Sequence, residues 1–328
     1  VCLDQDEMTK ITDRMIPYIK ICRFDHWVKN IFILPGFLIA LLLGTGDTRV
    51  LVEDNLATYL INLVIIVIAT GFIASANYTI NEYLDRDYDK LHPSKKTRPG
   101  AQGQLKFKWV LSQYVILIII GLLLSIKLGA FAVKIQIILL IMGLIYNVPP
   151  IRSKDKPYVD VITESINNPI RFILGWIVVI NHTLPPSSIL FCYWMGGAYL
   201  MAIKRFSELR SIQDKKIAGL YRNSFKFYNE EWLLVSAIFY AVNASFFLGV
   251  FLIKYRIEYV LIFPLIALLF ADYLRISYSN NSSAQAPETL YKEKSLIVIS
   301  IVITVVFIYL TFNDIKSIHL LLNPIKFI

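Results

Sequence analysis

Residues 57–99 read ATYLINLVIIVIATGFIASANYTINEYLDRDYDKLHPSKKTRP. The first half is an apolar run, and the second turns acidic and then basic. Crossing a bilayer takes about 20 mostly apolar residues as a helix, against about half that for a barrel strand. Residues 57–84 therefore predict a membrane helix. It ends in Asn81, Glu82, Asp85, Asp87 and Asp89, so it carries carboxylates to the edge of the membrane.

Eight more runs of this kind follow the same logic, at 27–45, 109–127, 130–150, 158–180, 187–206, 232–254, 257–275 and 295–314. The 328 residues are 56% hydrophobic with a mean hydropathy of +0.57, above the range of ordinary soluble domains. The expected fold is all-α, a polytopic membrane protein of nine transmembrane helices. Residues 1–26 form a charged N-terminal segment with no long apolar core, which argues against a secretory signal there. The rest reads as a single transmembrane catalytic domain over 27–328, with cap loops near 86–108 and 207–231. Cys2, Cys22 and Cys192 have no paired spacing and suggest neither a disulfide framework nor a metal cluster.

The net charge is +9 and is unevenly placed. Basic residues crowd the segments before the first run and after runs two, four, six and eight. The alternate segments hold few, and residues 181–188 hold none. By the positive-inside rule the rich segments and the N-terminus are cytoplasmic, which places the protein in a cell inner membrane. Most of these lysines need no other explanation. Nucleic acid is not an expected partner, and a homo-oligomer is allowed.

Asn81, Asp85 and Asp89 are spaced i, i+4, i+8 and fall on one helical stripe about 12 Å long, with Glu82 on its flank. Asp87 points away, as a solvated or structural group would. Clustered carboxylates repel one another, and their hard oxygens select Mg²⁺ or Ca²⁺. Mg²⁺ is held by few protein ligands plus substrate phosphates, which suits a sparse stripe. A second cluster opens the run at 158: Asp160, Glu164, Asn167 or Asn168, and Arg171 share a face. Pro169 is placed to kink that helix. A closed structural network is one reading of the second cluster; a second metal or diphosphate site is the other. Further on, Lys204 and Glu208 stand i, i+4 as a simple pair, or Lys204 or Arg205 faces phosphate.

These motifs resemble the UbiA superfamily of intramembrane prenyltransferases, whose members have nine helices and two facing Asp-rich motifs. NEYLDRDYD (81–89) matches the first and DVITE (160–164) the second, with Glu in its last acidic place. Several segments are similar to the decaprenyl-phosphate phosphoribosyltransferases of that superfamily: CRFDHWVKN (22–30), DYDKLHPSKKTRP (87–99) and AIKRFSELR (202–210). That resemblance implies a soluble phosphoribosyl pyrophosphate donor, a lipid-phosphate acceptor and Mg²⁺ on Asn81, Asp85 and Asp89. It implies catalytic roles for those residues with Asp160 and Glu164. By position it implies phosphate contacts from Lys29, His92, Lys95, Lys204 and Arg205, with Arg171 at a compatible place; Glu82, Lys96, Arg98 and Asn168 are further candidate substrate contacts from their places beside the acidic clusters, while Glu82 and the group Glu164, Asn167 and Asn168 depart from the subgroup's pattern. YNVPPIRSKDKP (146–157) departs from the subgroup and looks more like the segment of lipid- and pigment-making prenyltransferases. Prenyl transfer to an aromatic or alcohol acceptor is therefore the alternative reaction. A transporter is the alternative class, since transporters also carry charged sites between helices.

Overall fold

The computed structural model describes residues 14–43, 47–91, 95–212, 214–279 and 282–322, and these are all-helical, with no strand. The helices are α1 (residues 14–21), α2 (Leu34–Leu43), α3 (Asp47–Asp89), α4 (Phe107–Ile126), α5 (Ala130–Asn147), α6 (Val159–Ser165), α7 (Asn167–Trp176), α8 (Ser187–Ile212), α9 (Lys215–Tyr221), α10 (Glu230–Tyr255), α11 (Phe263–Ser277), α12 (Lys294–Phe312) and α13 (Lys316–Leu322). They pack as two compact units. The first comprises residues 1–184 and 212–228, the second 185–211 and 229–328.

Among the described residues, seven helical segments are long and apolar enough to cross a membrane: Arg14–Leu42, Leu56–Asp89, Phe107–Ile126, Ala130–Asn147, Glu230–Tyr255, Ile257–Ser277 and Lys294–Phe312. They match seven of the nine expected runs. The run at 158–180 is instead two short helices, α6 and α7, separated at Ile166. Pro169 lies four residues after Ser165 and has no N–H to donate back, so the helical ladder is interrupted there. The run at 187–206 is a 26-residue helix, α8, long enough to span. Tyr193, Trp194, Gly196, Gly197 and Tyr199 in its middle dilute its apolar character.

In the first unit α3 packs on α4 and α5, burying Ile66, Ala69 and Ile73 with Leu117, Ala132 and Leu139. At 43 residues α3 is about 65 Å long, twice the hydrocarbon thickness, so it extends beyond the membrane core. Helices α2 and α7 cross at two glycines. A side chain on Gly36 would run into the Phe172 carbonyl, and one on Gly175 into the Ile33 carbonyl.

In the second unit Tyr199 of α8 stacks on Phe270 of α11 at 4.5 Å and donates its hydroxyl to the Phe270 carbonyl at 2.6 Å. Tyr259 and Thr311 share a buried 2.8 Å hydrogen bond. Both units show bands of outward apolar side chains, such as Ile116, Ile119 and Leu123 on α4 and Phe239, Val242 and Phe246 on α10. In water such bands would drive association; in a bilayer they meet acyl chains.

Candidate active site

The end of α3 carries the first acidic cluster, and its partners come from the segment between α5 and α6. Lys154 donates from Nζ to Asp85 Oδ1 at 2.5 Å, to Asn81 Oδ1 at 2.8 Å and to Asn147 Oδ1 at 3.0 Å. Arg152 adds a 2.8 Å contact from Nη2 to the same Asp85 oxygen and binds Asp155 through Nε at 2.8 Å. Its backbone sits at φ 31°, in the left-handed region that a non-glycine residue rarely enters. Its guanidinium also lies over the Tyr88 ring, 4.9 Å from the centroid. Burial pushes Lys154 down to about 8. Asp85 opposes the shift, while Arg152 and Arg222 deepen it.

Asp89, one turn further on, meets a different segment. It is 2% exposed and ion-paired with Arg98 at 2.7 Å. Buried Glu82 accepts the Gly100 N–H at 3.3 Å. A β-carbon on Gly100 would press into the Glu82 carbonyl, so the turn carrying Arg98 lies flat against α3 only with glycine there. Asp87 points to solvent and pairs with Lys90 at 2.8 Å, as its place off the stripe predicts.

The second acidic cluster receives the segment that follows α9. Asp160 is fully buried. It accepts the Tyr228 hydroxyl on Oδ1 at 2.5 Å, and its Oδ2 lies 3.5 Å from both Ser224 Oγ and Arg222 Nη2. Glu164 accepts the Tyr146 hydroxyl at 2.7 Å, and Tyr146 in turn accepts from Arg222 at 2.6 Å. The Lys95 ammonium binds the Tyr221 hydroxyl and lies 4.3 Å from that ring's centre. The segment after α3 and the segment after α9 thus meet each other beside α3 and α6.

The other expected substrate contacts lie elsewhere or in other company. Lys96 is exposed and His92 falls outside the described residues. Lys29 bonds His26 at 3.0 Å and lies near the Tyr78 ring. Arg171 is buried between α7 and the preceding segments, donating to Asn30 Oδ1 at 3.1 Å and to the Asn167 carbonyl at 3.3 Å. Asn168 is buried on α7. In the second unit Arg205 is 1% exposed and pairs with Glu208 at 3.0 Å, and Lys204 beside it is half-buried.

Arg152, Lys154 and Arg222 belong to the basic segments after runs four and six, whose charge the positive-inside rule already explains, and Tyr146, Tyr221 and Tyr228 carry no signal of their own in the sequence. The one available signal was the YNVPPIRSKDKP departure, whose Arg and Lys are the two that reach Asp85.

The arrangement can hold a polyanion: oxygen ligands line one stripe, with cations already gathered against them. The model of the UbiA prenyltransferase family matches residues 33–296. This chain belongs to that family. It is a membrane-embedded, multi-span member, and it is 26% identical over 235 residues to the nodulation protein NoeC of Azorhizobium caulinodans, covering 71% of each chain. It is 32% identical over 132 residues to 4-hydroxybenzoate octaprenyltransferase of Shewanella baltica, covering 39% of this chain and 42% of that relative. Its fold matches a UbiA homologue from Archaeoglobus fulgidus solved with GPP and Mg²⁺. The TM-score is 0.64 at 21% identity, over 90% of this chain and 99% of that one. A digeranylgeranylglyceryl phosphate synthase matches with a TM-score of 0.60 at 17% identity, over 91% and 99%.

Proposed function

We propose that this UbiA-family chain transfers a phosphoribosyl group from phosphoribosyl pyrophosphate to a polyprenyl phosphate, with Mg²⁺, at the cytoplasmic face of a cell membrane. The observation that carries this reading is the number of cations set among the carboxylates: Lys95, Arg98, Arg152, Lys154 and Arg222 all lie in the unit that holds Asp85, Asp89 and Asp160. Donor and acceptor together bring a diphosphate, a 5-phosphate and a lipid phosphate. An isoprenyl diphosphate with an aromatic or alcohol acceptor brings a single diphosphate and no further phosphate.

The residues fit Mg²⁺. Asp85 and Asp89 offer hard carboxylate oxygens, with the Asn81 amide oxygen on the same stripe. Among the described residues no three His, Cys, Asp or Glu side chains gather into a closed metal cage. Mg²⁺ is commonly held by one or two carboxylates with substrate phosphates completing its shell. When bound, it supplies charge neutralisation for the departing pyrophosphate. The Archaeoglobus homologue solved with GPP and Mg²⁺ supports this assignment.

Lys154 and Arg152, held in place by Asn147 and Asp155, bind diphosphate oxygens and orient the donor. An ionised lipid-phosphate oxygen attacks the anomeric carbon as the bond from that carbon to pyrophosphate breaks. The nucleophile carries no proton to be removed, so positioning and electrostatics bear the reaction and no protein base is needed.

A second reading is prenyl transfer. It is favoured by the 4-hydroxybenzoate octaprenyltransferase relatives and by the placement of the 146–157 segment against Asp85. The separating experiment offers purified protein two substrate pairs with Mg²⁺: labelled phosphoribosyl pyrophosphate with polyprenyl phosphate, and labelled isoprenyl diphosphate with 4-hydroxybenzoate. Label reaching the lipid phase from the first pair alone supports phosphoribosyl transfer. Product from the second pair alone replaces it with prenyl transfer.

A further inference from the structure

Helix α1, RMIPYIKI, docks by one end only. The Tyr18 hydroxyl accepts the Lys106 N–H at 3.1 Å. Gln113 of α4 donates to the Tyr18 carbonyl at 2.9 Å and to Cys22 Sγ at 2.8 Å. Ile21 and Cys22 are buried, Cys22 with Ala76 of α3 and Leu117 of α4. The rest of the helix faces outward. Met15 is 56% exposed and Ile19 55%, Ile16 is exposed beside them, and Arg14 and Lys20 stand exposed at the two ends of this apolar group. Lys106 is exposed next to Tyr18, and Trp109, one turn further along, is 61% exposed. Leu111 and Val115 follow, also exposed, so the outward apolar side of α4 continues from Trp109 to the band of Ile116, Ile119 and Leu123.

We propose that α1 and the start of α4 form a docking surface for acidic phospholipid headgroups of the cytoplasmic leaflet. Arg14, Lys20 and Lys106 hold the headgroup phosphates, and Met15, Ile16, Ile19 and Trp109 sit among the first carbons of the acyl chains. A short helix that turns both apolar side chains and cations outward has the makeup of one lying in the membrane interface. Tryptophan belongs at the same depth. Long lysine and arginine stems can lie along the apolar surface while their charged ends reach phosphate. Three cations on one face favour a lipid of net negative charge over a zwitterionic one. A lysine that serves topology alone needs no fixed place. Here the bonds through Tyr18 and Gln113 tie α1 to α4, so the three cations act as one set on one frame. The surface is built without the carboxylate clusters and does not depend on which donor the chain uses.

The test places the whole protein in phosphatidylcholine vesicles that carry rising amounts of brominated phosphatidylglycerol or brominated phosphatidylcholine. Bromine quenches tryptophan on contact, and the Trp109 signal is the difference between the wild type and Trp109→Phe. Half-quenching of Trp109 should need about tenfold less of the brominated phosphatidylglycerol, and Lys20→Gln with Lys106→Gln should bring the two lipids within about twofold of each other. In about 1 M salt the wild-type gap should close as well, because the screening length falls to about 3 Å. Lys127→Gln with Lys134→Gln removes the same charge from exposed positions at the far end of α4 and the start of α5, and should leave the gap intact. Equal quenching by both lipids in the wild type would overturn the proposal. So would a gap that survives Lys20→Gln with Lys106→Gln, or one that Lys127→Gln with Lys134→Gln closes equally. Displacement of the brominated phosphatidylglycerol by a small fraction of polyprenyl phosphate would overturn it too, by giving the surface to the acceptor. Should the double variant fail to fold, Lys20→Gln alone decides, since that side chain is exposed and Lys20 lies outside the Tyr18 and Gln113 bonds. No turnover is needed, so failure of the donor reading leaves this result standing.

Discussion

The Lys154 ammonium lies 2.5 Å from Asp85 Oδ1 and binds the amide oxygens of Asn81 and Asn147 as well. One cation therefore organises both the α3 stripe and the end of α5. Only 5% of Lys154 is exposed, so its charge acts with little screening by water.

Replacing Lys154 with Met should lower kcat/KM by about 10² to 10³, the range for losing one preorganised electrostatic donor. Lys108→Ala removes an exposed lysine from the first turn of α4 and should leave kcat/KM unchanged. Steady-state rates with each variant, checked for retained fold by thermal melting, measure this. Equal rates in both variants would return Lys154 to a topology role.

The α2–α7 crossing makes a prediction about stability alone. Gly175→Ala puts a methyl group against the Ile33 carbonyl, where neither helix backbone can yield easily. The expected cost is about 1–3 kcal/mol, as for other overpacked sites. Gly249 of α10 faces open space, with nothing within 4 Å of where a β-carbon would stand. Gly249→Ala should be neutral or stabilise by up to about 1 kcal/mol, through helix propensity. Thermal unfolding in one detergent compares the two.

Arg171 and Asn30 join α7 to the segment before α2. Asn30→Ala leaves a buried guanidinium short of one acceptor and should cost about 1.5–3 kcal/mol. Donor KM in the folded fraction should not change. A rise in donor KM without loss of stability would instead support the substrate contact that the family resemblance implies for Arg171.

The parts of this site that were legible in the sequence are the ones governed by local geometry. The Asn81, Asp85, Asp89 stripe follows from helical spacing, and Asp87 fell outside it for the same reason. The break between α6 and α7 follows from Pro169 and its missing donor. The partners were not legible. Arg152 stands 67 residues from Asp85, and its charge was already explained by topology. Tyr228 stands 68 residues from Asp160, and a tyrosine near a membrane surface has many ordinary uses. Nor did spacing reveal that Asp85 and Asp89 would face different loops. A drift of about 40° and a rise of about 6 Å over the single turn between them are enough to separate their neighbours.

The most direct test of the donor site is Mg²⁺-dependent release of pyrophosphate from phosphoribosyl pyrophosphate in the presence of polyprenyl phosphate. Wild-type protein should release pyrophosphate in step with label entering the lipid, EDTA should stop both, and Asp85→Asn should lower the rate by about 10² or more while the protein stays folded. Release that continues undiminished in Asp85→Asn, or that does not depend on Mg²⁺, would contradict the placement of the donor at the end of α3.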